Sequence, residues 1–191
     1  MTGHFYPVVS VLETMIYPKD PRWFNFMVTL SNVWGLLLSL DCDDLVPRLL
    51  FQSVAIASVL MHLSETKHKL PGIWPFNQWS GLFLNVDRAM SLVVVLYLFL
   101  FDLHETWARL VLMFLNYRLF SLSVVVGGLV ALLIAENPWV LGRKWSVREG
   151  KLQGYWLYAA SHMLWHYCAY TMLSYLLINP YAFMSRLVHG V

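Results

Sequence analysis

The chain is expected to be an all-α, polytopic transmembrane helix bundle, a single integral membrane domain over residues 1–191, and three observations carry that expectation. Of its 191 residues 59% are hydrophobic and only 13% charged, with a mean hydropathy of +0.58, too apolar for an ordinary water-soluble domain. Its apolar runs are about 20 residues long and do not alternate, which excludes a barrel of strands of about ten residues. In a bilayer core only helices or closed barrels satisfy every backbone group, so those runs read as helices.

Five or six crossings can be placed. The first spans 22–40, opened by the Pro18 to Pro21 break and closed by the acidic turn Asp41, Cys42, Asp43, Asp44. Pro47 starts the second, 47–63, because proline suits a first helical turn. A polar loop with Pro71, Gly72 and Pro75 follows, with Trp74, Phe76 and Trp79 placed as interfacial anchors. The third spans 82–101, and Asp102, His104 and Glu105 mark its exit. Residues 107–135 form one long tilted helix or two short ones broken near Asn116 to Arg118. A polar, basic loop leads to the last span, 152–178. Gly127 and Gly128 predict close helix packing, since small residues let backbones approach.

Charge placement favours the odd count. With five crossings one side collects Lys19, Arg22, Lys67, Lys69, Arg88, Arg143, Lys144, Arg148 and Lys151 against Arg48, Arg109 and Arg186. With six the split is seven against six, which is no bias. The positive-inside rule then puts the N-terminus on the cytoplasmic or matrix-equivalent side. The net charge of +2 is spread without a basic block, so nucleic acid is not an expected partner. Cys42 and Cys168 fit neither a disulfide framework nor a Cys-x-x-Cys metal spacing. The first fifteen residues carry no basic n-region with a small-residue cleavage site. Targeting is therefore expected from internal helices, with the mitochondrial inner membrane and the endomembranes both open.

Ionisable groups inside apolar runs are the chemical signal, because they are costly there and so mark function by default. His162 and His166 stand four residues apart in the last span, Ser58 and His62 repeat that spacing in the second, and Asp87 lies just inside the third. An i, i+4 pair of imidazoles projects from one helix face, close enough to share one ion. In a five-crossing chain the last helix starts on the side where the second ends, so the two histidines fall roughly 15 to 21 Å along it and can meet His62 and Asp87. Three histidines with an open fourth position form the ligand set of catalytic zinc, which lowers the pKa of bound water to about 7. Asp87 is the candidate base for that water, and Ser58 the candidate hydrogen-bond donor to an oxyanion. The blander alternative is that the histidines hydrogen-bond neighbouring helices, that Ser58 bonds its own i−4 carbonyl and that Asp87 pairs with Arg88.

This constellation resembles the CREST superfamily, which includes alkaline ceramidases, progestin and adiponectin receptors and the myomaker group. The carriers are Ser58-x-x-x-His62, Asp87 and His162-x-x-x-His166, with SHMLWHYCAYTMLSYLLINP and MVTLSNVWGLL closest to the myomaker-like branch. The resemblance implies a trimmed form of a seven-helix architecture and a membrane-embedded zinc hydrolase of lipid amides or esters. His62, His162 and His166 would then hold Zn2+, Asp87 would handle the water proton and Ser58 would steady the oxyanion. Ceramidases also carry an acidic, calcium-binding N-terminal segment, whereas only Glu13 and Asp20 precede the first helix here. A second reading is a non-catalytic accessory subunit that uses the same fold inside a multiprotein membrane complex, such as a mitochondrial respiratory one. Expected partners are membrane lipids and other membrane protein subunits. Glu65, Lys67 and His68 read as a solvated loop, and His4, His104 and His189 carry no assigned role.

Overall fold

The computed structural model describes residues 22–64, 72–101, 103–136 and 148–178, with side chains from 156 onward in the last segment. Every regular element among them is helical: α1 Arg22–Ser31, α2 Val33–Ser39, α3 Leu45–Ser64, α4 Ser80–Leu100, α5 Leu103–Asn116, α6 Arg118–Glu136 and α7 Arg148–Leu177. A short 3-10 turn, Phe76–Trp79, leads into α4. Among the described residues, three helices are long and apolar enough to cross a membrane, over Leu45–Ser64, Phe76–Leu100 and Arg118–Ala135. The Pro18 to Pro21 break, Glu65, Lys67, His68, Asp102, most of the basic loop before α7, His4 and His189 lie outside the described residues.

The expected first span is one rod broken at Asn32. Its side-chain amide donates to the carbonyls of Val28 (3.2 Å) and Thr29 (3.3 Å), and its backbone N–H takes the tighter i−3 bond to Thr29. Asparagine offers the helix these competing partners, which is why a mid-helix Asn disturbs the regular ladder. Pro47 sits in the first turn of α3, where no intrahelical N–H bond is lost. Arg48 folds back so that its Nε (2.9 Å) and its Nη2 (2.6 Å) cap the Cys42 carbonyl. Burial pushes the neighbouring Cys42 thiol up to about 11, so it carries no thiolate at neutral pH.

Residues 107–135 are two helices, not one, and the break falls at Tyr117. The Ser121 hydroxyl closes that bend, reaching the carbonyls of Tyr117 (2.8 Å) and Met113 (2.9 Å). Helix α5 lies at the end of the bundle where α4 and α7 finish. Its Thr106 hydroxyl donates to the Leu98 carbonyl (3.5 Å), and its Arg109 guanidinium donates to the Leu176 carbonyl. One face of α5 is buried through Thr106 and Met113, while Leu103, Trp107 and Leu115 stay exposed.

Helix α7 packs along α6 on one side and along α1–α2 on the other, while α3 packs against α1–α2 and α4. Two apolar clusters hold the ends. Leu38, Phe51, Leu98, Met113, Tyr175 and Ile178 meet at the α5 end, and Phe24, Val28, Ala135, Tyr158 and Ala159 at the other. Between them lies a buried polar layer. Two glycines let backbones close in around it. A Cβ on Gly128 would stand 2.9 Å from the Cys168 Cβ, and one on Gly35 would stand 2.8 Å from the Tyr170 ring. The expectation for Gly128 holds, whereas Gly127 faces open space.

Candidate metal centre

Four aromatic side chains at i, i+4 spacing run down one face of α7: Tyr158, His162, His166 and Tyr170. Neighbouring ring centroids are 5.1, 4.7 and 5.8 Å apart, so the spacing legible in the sequence does put both imidazoles on one face. His62 comes from α3 against that ladder, 4.6 Å from the His162 ring and 5.0 Å from the His166 ring, both edge-on. All three histidines are buried, and their ligand nitrogens lie within 4.8 Å of one another. His62 Nε2 and His166 Nε2 are 3.3 Å apart.

That separation tests whether the residues suit zinc. Ligands in a tetrahedron with Zn–N of about 2.0–2.1 Å stand about 3.3 Å from each other. The observed pair has that edge without rearrangement. The donor set is all-imidazole, which also suits other first-row ions.

Ser58 and Asp87 reach the same place. With the three histidines they line one cavity of about 670 Å³, together with Met61, Leu84, Arg88, Ser91, Leu132, Trp165 and Tyr170. Helix α4 contributes the wall opposite α7, and Asp87 on it is half-buried. All five residues singled out in the sequence thus converge. His104, by contrast, is on the surface at 96% exposure, 3.9 Å from Glu105.

Ser58 does not take up its own i−4 carbonyl, as Ser161 and Ser123 do with theirs. It lines the cavity with Tyr170, whose hydroxyl donates its proton to Asn32 Oδ1 at 2.5 Å. The Asn32 orientation follows from its two bonds to carbonyls, which only an NH2 group can make.

Three participants were not singled out in the sequence: Ser31, Asn32 and Tyr170. Ser31 Oγ lies 2.6 Å from His166 Nδ1. The available signal was the Ser31–Asn32 pair inside an apolar run, and Tyr170 standing one turn beyond His166. A comparison with protein-family models, curated proteins and solved structures finds no match to this chain.

Proposed function

We propose that the chain is a multi-pass membrane protein and a zinc-dependent hydrolase of a lipid amide or ester, as its resemblance to CREST proteins implies. One observation carries the reading: Ser58, His62, Asp87, His162 and His166, chosen from three separate apolar runs, line a single cavity. Five crossings suit the geometry better than six. Leu132 near the end of α6 lines the cavity beside His62 near the end of α3, so α6 runs in the same direction as α3. Helix α5 then lies across the far end rather than traversing, tied there by Thr106 and Arg109.

Zinc held by His62, His162 and His166 supplies Lewis-acid polarisation and acidifies water when bound. The rest falls to the chain's own groups. Asp87 accepts the proton of the attacking water from the facing wall. Ser58 donates to the developing oxyanion. The apolar lining from Leu84, Leu132 and Trp165 receives the lipid and excludes bulk water. Protein purified in detergent should contain one zinc per chain and hydrolyse a ceramide or phospholipid from a defined panel. Asp87→Asn should keep the zinc and lose turnover by at least about a hundredfold, the usual scale for a general base. A wild-type protein that carries zinc and cleaves nothing in the panel overturns the hydrolase.

A second reading, an accessory subunit of a membrane complex in the mitochondrial inner membrane or an endomembrane, is favoured by α4. Only 11% of the Phe76–Leu100 window is buried, against 33% of Leu45–Ser64. Stable co-purification of other membrane subunits along that face, from a protein without turnover, would carry it.

A further inference from the structure

We propose that Ser31, on α1, is a positioning residue that fixes the tautomer of His166 and so turns the Nε2 lone pair toward the metal site. One hydroxyl makes two short contacts. Ser31 Oγ stands 2.6 Å from the Val28 carbonyl and 2.6 Å from His166 Nδ1. A carbonyl oxygen only accepts, so the single hydroxyl proton goes to Val28. The oxygen is left to accept, and the hydrogen between Ser31 and His166 must come from the ring.

Nδ1 therefore carries the hydrogen. In a neutral imidazole the other nitrogen is then bare, and that nitrogen is the one 3.3 Å from His62 Nε2. Ligand-bearing histidines generally depend on such an outer partner for ring orientation. The partner here is a serine one residue before the Asn32 break, so the local disturbance in α1 has a chemical use. Ser31 and His166 are 2% and 5% exposed, which leaves no bulk water to replace the hydroxyl.

The inference rests on the metal reading only for the ion, since the proton assignment concerns the chain's own atoms. Full-length protein labelled with 15N-histidine, freed of metal and held in detergent, gives the direct test. The His166 signals, identified by their loss in His166→Gln, should show a protonated Nδ1 and a bare Nε2. Chelator competition for zinc should then show Ser31→Ala binding roughly 10- to 100-fold more weakly, the usual effect of removing an outer-shell partner. Ser31→Thr, which keeps the hydroxyl, should restore the affinity. A protonated Nε2 in the wild type, or undiminished zinc affinity in a folded Ser31→Ala protein, overturns the proposal. If Ser31→Ala does not fold, the wild-type spectrum still decides. The two proposals fail separately: zinc binding without turnover removes the hydrolase and leaves Ser31 standing, whereas the wrong tautomer removes Ser31 alone.

Discussion

Helices α4 and α7 face each other across the cavity, and the more apolar of the two is the more exposed. Along α4 only Val94 and Leu98 are buried, and Leu92, Phe99 and Leu100 point outward. Along α7 the buried side chains are Tyr158, Ala159, Ser161, His162, His166, Tyr170, Ser174, Tyr175 and Leu177, with two histidines and two serines set among tyrosines. In water this order would be wrong, because apolar side chains drive burial there. It is the order expected in lipid, where the tails are as apolar as leucine and polar groups gather where they can satisfy one another. Hydropathy therefore marks the exposed helix, and the histidines mark the buried centre.

The largest break in that contrast comes from the imidazoles. Binding a structural zinc releases on the order of 10 kcal/mol spread over a few ligands, so His162→Ala should weaken zinc at least about a hundredfold. Metal content after dialysis against a graded chelator series reads this directly. Wild-type retention of zinc in His162→Ala would remove His162 from the site. An intermediate effect comes from the flank of α7. Gly128→Ala sets two Cβ atoms 2.9 Å apart, a clash no rotamer relieves, and should cost about 1–3 kcal/mol as other overpacked sites do. Gly127→Ala meets nothing within 4 Å and should leave the melting temperature unchanged or raised. Equal melting of the two variants would mean that α6 and α7 are not in that close register. The smallest effect belongs to α4: Leu100→Ala, at 70% exposure, should stay within about 0.5 kcal/mol of wild type in the same melting assay. A larger loss there would mean that α4 is covered by another chain.

What was legible in the sequence followed from cost. His62, Asp87, His162 and His166 stood out because ionisable groups are expensive in apolar runs, and all four line the cavity with Ser58. Ser31 and Asn32 did not stand out, since Ser and Asn in a helix ordinarily bond their own carbonyls, and both do so here. Only the third dimension shows that they also serve His166 and Tyr170. Tyr170 reads in one dimension as another belt aromatic. The break between Asn116 and Arg118 was visible, but the position of α5 was not. The contacts that hold its fourteen residues, Thr106 to Leu98 and Arg109 to Leu176, join residues whose pairing no local pattern encodes.

The contact between Gly35 and Tyr170 also sets a rule of descent. The ring occupies the volume where any other residue at 35 would place its first carbon, and the same ring gives its proton to Asn32. A lineage that enlarges position 35 must first shrink position 170, and in doing so gives up the phenol that holds Asn32. Positions 32, 35 and 170 should therefore drift as a linked trio across relatives, and a chain with His-x-x-x-His but a bulky residue at 35 should also lack the tyrosine.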